Sequence, residues 1–131
     1  MNDNFQDYKE EIDKILTCNR TSPHMKFIVQ LAIETAMRRS EIANIKAEHV
    51  KGNLLKIPVA KTKPRTIPLT PKAGQLLQNN LPIRMSSNAI HLSWVRITKR
   101  HGIEDARFHD LRHEGLSRMF EVKSLNVPEV Q

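Results

Sequence analysis

Residues 55–69, LKIPVAKTKPRTIPL, differ in hydrophobic period from the rest of the chain. Leu55, Ile57 and Val59 alternate with other residues, and the run 65–69 shows the same alternation, which is typical of half-buried β-strands. A short polar segment rich in lysine connects the two runs. This stretch therefore predicts a β-hairpin with a basic tip.

The sequence on both sides of the hairpin has the three- and four-residue spacing of amphipathic helices. The pairs Ser22-Pro23 and Thr70-Pro71 each combine an N-cap side chain with a proline suited to the first helical position. The predicted helices cover about 3–17, 23–37, a short segment capped by Ser40, 71–79, 87–101 and 109–121. The pattern predicts a mainly α-helical α+β fold with a small antiparallel hairpin or sheet.

The charge balance indicates a polyanionic partner. The chain has 131 residues, a net charge of +7 and a pI near 9.9, in a size that fits one domain. Two lysines against five acidic residues give residues 1–19 a charge of −3, so the remainder carries +10. Composition alone leaves nucleic acid and an anionic membrane surface open.

Cys18 is the only cysteine, so no internal disulfide is possible and a reducing, cytoplasmic setting is expected. No apolar run is long enough to cross a bilayer, and the acidic N-terminus lacks the pattern of a signal peptide. Secretion and membrane spanning are therefore not expected.

Residues 108–113, FHDLRH, concentrate phosphate-binding and proton-transfer chemistry on one helical face. Positions i, i+3 and i+4 are neighbours on a helix, so His109, Arg112 and His113 project together. Taken alone, this cluster also fits a solvated basic face. A zinc site at the two histidines would need further Cys or His ligands at suitable spacing, and the sequence provides none.

Two further motifs are basic. Arg38 and Arg39 lie at a helix junction beside Ser40, and the hairpin tip holds Lys61, Lys63 and Arg65. Each has an ordinary explanation when taken alone: surface arginines at a turn, and charges that protect strand edges from aggregation.

The three motifs together, in this order, resemble the tyrosine recombinase (phage integrase) family, over roughly residue 25 to the end. Within this family, the residues in and around the motifs look most like those of phage and genomic-island integrases and shufflon-type invertases. The resemblance implies the DNA breaking-rejoining fold and metal-independent strand cleavage through a 3′-phosphotyrosine, with no cofactor. The implied catalytic residues are Arg38, Lys61, His109 and Arg112, with Lys61 protonating the leaving 5′ oxygen.

The same resemblance implies a double-stranded DNA partner containing a specific recombination site, and a homo-oligomer, a tetramer on DNA, for the full-length protein. It also implies a bacterial or phage-encoded protein associated with the nucleoid. Glu41 is expected to orient the Arg38 region. The DNA-binding residues expected around the site are Arg39, Lys63, Arg65 and His113. Arg96, Lys99 and Arg100 form the polar face of the helix that holds Trp94, and they are expected to contact DNA phosphates, although a solvated face explains them equally well.

The sequence departs from the family pattern in two respects. The family's nucleophilic tyrosine follows the His-x-x-Arg motif, but the only tyrosine here is Tyr8, in the apolar stripe of the first helix. We therefore expect a catalytic-domain fragment (residues 1–20 an acidic helix, 21–131 the basic core) without the core-binding domain and the tyrosine segment, unable to cleave in cis. Ala36 stands where the family usually has glycine.

Two other functions stay open at this stage. The chain could be a non-catalytic DNA-binding remnant of a prophage integrase, or a metal-independent phosphodiesterase that uses His109 and Lys61 with water. The residues encoded after position 131 would separate a fragment from a remnant. Loss of metal-free nuclease activity in His109→Ala would support the phosphodiesterase.

Overall fold

The computed structural model describes residues 4–58, 64–103 and 106–112, with side chains from residue 10 onward in the first helix. The elements in chain order are α1 (Asn4–Thr17), α2 (Pro23–Thr35), α3 (Arg39–Ala43), a 3-10 turn (Ala47–His49), β1 (Val50–Lys51), β2 (Leu54–Ile57), β3 (Arg65–Pro68), α4 (Pro71–Asn80) and α5 (Ser87–Arg100). Residues 108–112 are also helical. The predicted mainly helical α+β organisation is confirmed.

The helix starts follow their predicted caps. The hydroxyl of Ser22 accepts a hydrogen bond from Met25 N at 3.2 Å, and the hydroxyl of Thr70 accepts one from Ala73 N at 3.1 Å. Each satisfies a backbone donor that the first helical turn leaves without an intrahelical partner. After the C-terminal end of α5, Gly102 has a φ of +67°, in the left-handed region expected for a residue that stops a helix.

Within the described residues, the strands form a three-stranded antiparallel sheet in the order β1-β2-β3. Leu55 pairs with Ile67 in the predicted hairpin, and Leu55 and Ile57 are buried while their neighbours are exposed. The sequence did not predict β1, because two residues are too few to show an alternating pattern. The hairpin connection, residues 59–63, lies outside the described residues.

The prediction that Ser40 caps the third helix is wrong. α3 begins at Arg39, and Arg38 is its N-cap residue in an extended conformation. The acceptor at this helix start is the Glu41 carboxylate, which takes the hydrogen bond of Arg38 N at 3.0 Å. A carboxylate three positions into a helix can reach back to the N-cap backbone, and here it replaces the serine hydroxyl.

The core is centred on α2, whose inward side is completely covered. Ile28, Leu31 and Ala32 have no exposed surface, and the predicted core position of Trp94 on α5 is confirmed. Ile15 of α1 belongs to the same hydrophobic cluster, so the acidic helix packs on the basic body. The predicted division of the chain near residue 20 stays a prediction. None of the described helices combines the length and apolar character needed to span a membrane.

Candidate active site

The turn between α2 and α3 positions Arg38. Ala36 ends α2 in the left-handed conformation, with φ 57° and ψ 29°, and its N–H donates to Ala32 O at 2.8 Å. Thr35 is buried, and its hydroxyl donates to Leu31 O at 2.7 Å while accepting from Met37 N at 3.4 Å. The chain therefore leaves α2 in one defined direction, and Arg38 follows two residues later.

A left-handed backbone explains the glycine that the family resemblance leads one to expect at this position. Glycine adopts positive φ without a steric penalty, whereas an alanine Cβ approaches the neighbouring carbonyl oxygen. Ala36 adopts this strained conformation, and the residue is buried, with 5% of its surface exposed. The alanine at this position therefore stands in a backbone conformation that favours glycine.

Arg38 belongs to an ion-pair network centred on Glu41. The Glu41 side chain is only 3% exposed, and Arg38 Nη1 lies 3.6 Å from Glu41 Oε2. Arg65 from β3 donates Nη1 to Oε2 at 2.6 Å and Nη2 to Oε1 at 3.0 Å. This is the bidentate geometry in which a guanidinium binds a carboxylate most strongly. The Arg38 side chain remains 39% exposed.

The pKa of the Glu41 carboxyl reflects these contacts. Burial by itself raises its pKa, because a charged carboxylate loses its hydration. The hydrogen bonds from Arg65 and from the Arg38 backbone, together with the charges of both arginines, outweigh burial and hold the pKa below its ordinary value of 4.5. Glu41 is therefore ionised at neutral pH, and it balances part of the charge of two arginines.

Arg112 lies against the same turn. Its Nε donates a 2.7 Å hydrogen bond to the carbonyl oxygen of Ala36, across 76 residues of sequence. The Arg112 side chain thus contacts the α2–α3 turn at a residue two positions before Arg38. Among the described residues, Arg112 makes its side-chain hydrogen bond through Nε, and its two terminal nitrogens have no acceptor there. His109, three residues earlier in the same helical segment, is exposed.

Apolar packing holds the segment of Arg112 in place. Phe108 and Trp94 contact each other edge to face, with ring centroids 5.9 Å apart, and both are 4% exposed. Trp94 Nε1 donates to Ala106 O at 3.1 Å. Asp110 accepts a hydrogen bond from Arg107 N at 2.8 Å, the same reach-back contact that Glu41 makes to Arg38.

Known proteins share both the sequence pattern and the fold of this chain. The sequence pattern of the phage integrase family matches residues 8–131. This chain belongs to the phage integrase family. It is 39% identical over 113 residues to a shufflon-specific DNA recombinase of Escherichia coli, across 79% of this chain and 29% of that protein. The chain thus spans less than a third of the length of this relative.

Solved structures of integrases share the fold. The lambda integrase catalytic core matches with a TM-score of 0.71 and 21% identity, over 87% of this chain and 85% of the other. A lambda integrase dimer bound to a COC′ core site matches with a TM-score of 0.67 and 21% identity, over 81% of this chain and 48% of the other. The predicted recombinase catalytic-domain fold is confirmed.

The residues expected to bind DNA lie on several elements of the chain. Arg39 donates its Nε to the Ser87 hydroxyl at 2.9 Å, which ties α3 to the start of α5. Arg96 and Lys99 are exposed on α5, and the exposed Arg100 donates to Arg20 O at 3.3 Å. The assigned residues that lie outside the described part of the chain are Lys61, Lys63 and His113.

A basic cavity has Glu41 in its lining. It has a volume of about 300 Å³, and its lining includes Lys46, His49 and Lys56. His49 Nδ1 accepts a hydrogen bond from Lys46 N at 3.2 Å, which fixes the imidazole at the end of the 3-10 turn. In the ranges 4–58, 64–103 and 106–112, no group of three or more His, Cys, Asp or Glu side chains is placed to hold a metal ion.

Proposed function

We propose that this chain is the catalytic core of a site-specific DNA recombinase, and that Arg38, His109 and Arg112 bind one phosphodiester of duplex DNA. The observation that carries the proposal is the hydrogen bond from Arg112 Nε to Ala36 O, two residues from Arg38. Family membership makes this chemistry the one to test first. Fold alone would be weaker support, because a fold hosts many functions.

The proposed chemistry follows from where charge develops. Attack on a phosphodiester concentrates negative charge on the non-bridging oxygens. Guanidinium groups held in advance around the phosphate stabilise that charge without reorganising during the reaction. The His109 imidazole adds a hydrogen-bond donor beside them. Lys61 is proposed to protonate the leaving 5′ oxygen, and a tyrosine to form the covalent 3′ link.

We further propose that these 131 residues bind DNA without cleaving it on their own. The sequence contains a single tyrosine, Tyr8, which belongs to α1, whereas the proposed phosphate site is built by the α2–α3 turn and the 108–112 segment. Cleavage by the proposed chemistry would then require a tyrosine other than Tyr8. Incubation with a nicked duplex followed by denaturing electrophoresis tests this. Bound DNA without a covalent adduct is expected, and an adduct would contradict it.

The proposed partner is double-stranded DNA, and the proposed working form is a homo-oligomer assembled on a recombination site. The net charge of +7 fits a polyanionic partner, of which duplex DNA is one. The structural relative bound to its core site as a dimer supports both parts of this proposal.

Fluorescence anisotropy with a labelled duplex tests the proposed site on the chain as it is. Arg38→Gln and Arg112→Gln are each expected to weaken binding about tenfold, as for one charge-assisted contact. Each should also lower the slope of log affinity against log salt by about one. Lys72→Gln on α4, an exposed lysine outside the three basic motifs, is the control for net charge. If Arg38→Gln and Arg112→Gln bind no more weakly than Lys72→Gln, the proposal is wrong.

A further inference from the structure

Arg65 carries a role that its position in a basic hairpin does not reveal. Its two terminal nitrogens both donate to Glu41, at 2.6 and 3.0 Å, and the Glu41 side chain is 3% exposed. A guanidinium engaged in this way has its fork occupied by a carboxylate. It is poorly placed to bind a DNA phosphate through the same nitrogens.

Glu41 connects Arg65 to Arg38. The same carboxylate accepts the backbone N–H of Arg38 at 3.0 Å, and it lies 3.6 Å from Arg38 Nη1. The two arginines thus compete for one buried negative charge. Arg65 holds it with two short hydrogen bonds, while Arg38 stays beyond hydrogen-bond distance with 39% of its side chain exposed.

We propose that Arg65 is a positioning residue that occupies Glu41 and thereby keeps the Arg38 guanidinium free for phosphate. This inference rests on the proposed function, in which Arg38 binds a phosphodiester. Without Arg65, the Glu41 carboxylate would be left buried, and Arg38 is the other cation that lies within 4 Å of it among the described residues. Closing the gap from 3.6 Å to hydrogen-bond distance would draw the guanidinium away from the DNA.

The proposal differs from direct phosphate binding by Arg65 in its pattern of rescue. In Arg65→Gln, Glu41 captures Arg38, and DNA affinity should fall about tenfold, as far as in Arg38→Gln. Adding Glu41→Gln removes the negative charge that would attract the Arg38 guanidinium, while the glutamine side chain keeps an acceptor for Arg38 N. The double variant Glu41→Gln/Arg65→Gln should therefore bind within about threefold of Glu41→Gln alone.

Direct phosphate binding by Arg65 predicts the opposite result. Glu41→Gln would then release Arg65 toward the DNA, and its removal in the double variant would cost about tenfold and lower the salt slope by about one. Either of these changes overturns the proposal. So does an Arg65→Gln/Arg38→Gln double variant whose loss of affinity is the product of the two single losses.

The set of variants also separates this inference from the proposed function. If Arg38→Gln binds as tightly as the parent, both fail, whereas an Arg38→Gln loss without rescue in the double variant overturns only the inference. Arg65→Gln leaves a buried carboxylate without its main partner and risks unfolding. The comparison of Glu41→Gln with the double variant avoids this risk, because neither contains that unpaired charge. Lys51→Gln on β1 controls for the loss of one positive charge from the same sheet.

Discussion

The two arginine-bearing segments of the site are held by different forces. The Arg38 turn depends on a buried carboxylate with an arginine partner and on a left-handed alanine. The segment of Arg112 depends on aromatic packing between Trp94 and Phe108. Each segment also has an acidic residue, Glu41 or Asp110, that accepts a hydrogen bond from the backbone N–H three residues earlier. Because this contact occurs in both segments, it does not account for the difference.

The two segments therefore separate two effects: the stability of the fold and the electrostatic environment of the Arg38 guanidinium. Apolar burial stabilises in proportion to area and is insensitive to pH, so the Trp94 contact decides whether Arg112 reaches the site. Ion pairs depend on protonation, so the Glu41 network decides how the Arg38 guanidinium is presented. Four predictions test this division, in order of decreasing expected effect.

Trp94→Ala should have the largest effect on stability. Removing a buried tryptophan costs about 3–5 kcal/mol in free energy of unfolding, and here it also deletes the hydrogen bond to Ala106 O. Urea denaturation followed by circular dichroism measures this. Leu92→Ala on the same helix, at a residue 46% exposed, should change stability by less than about 0.5 kcal/mol. Equal effects of the two variants would contradict the packing role.

Glu41→Gln should lower the free energy of unfolding at neutral pH by about 2 kcal/mol, because charge-assisted hydrogen bonds to two arginines become neutral ones. The Glu41 pKa is lower in the folded protein than its ordinary value of 4.5, so its stabilisation is present above that value and is lost as pH falls through the folded pKa. The stability gap between parent and variant should therefore narrow at acid pH. A gap that is the same at about pH 7 and pH 3.5 would contradict the network.

Ala36→Gly should stabilise the protein by about 0.5–1 kcal/mol, because glycine removes the Cβ strain at φ 57°. Thermal unfolding measures the change. Ala32→Gly, in the regular part of α2, is the matched control and should destabilise, since glycine disfavours a helix interior and a buried methyl is lost. If both substitutions destabilise the protein equally, Ala36 carries no strain.

The smallest expected effect is at His24, which belongs to neither segment and serves as a baseline for pH. Burial, followed by the nearby charge of Arg84, lowers the His24 pKa below 6.5, and its Nε2 accepts a hydrogen bond from Arg84 N at 3.1 Å. Folding therefore favours the neutral imidazole, and stability should fall as pH drops through 6.5. The thermal midpoint of the parent should decrease slightly more than that of His24→Gln between about pH 7.5 and 5.5. Parallel curves would contradict this.

Much of the fold was predictable from local patterns. The caps at Ser22 and Thr70 and the Trp94 stripe of α5 are encoded within a few residues, so periodicity and N-cap chemistry suffice. The start of α3 was not predictable. The sequence Arg38-Arg39-Ser40-Glu41 is compatible both with a helix capped by the Ser40 hydroxyl and with one in which the Glu41 carboxylate accepts the N–H of Arg38.

The candidate site was predictable in composition but not in its contacts. Arg38, His109 and Arg112 could be singled out from their motifs, because the order of motifs resembles a known family. The pairing of Arg65 with Glu41 joins residues 24 apart, and the bond from Arg112 to Ala36 O spans 76 residues. No local pattern encodes such distances, so only the folded chain reveals that Arg65 binds Glu41 and that Arg112 binds the Ala36 carbonyl.

A crystal structure of the chain with a short duplex tests the central claim most directly. The account predicts that guanidinium nitrogens of Arg38 and Arg112 lie about 2.7–2.9 Å from oxygens of one phosphate, while Arg65 remains on Glu41. Two arginines on different phosphates, or Arg65 on the DNA with Glu41 on Arg38, would contradict it.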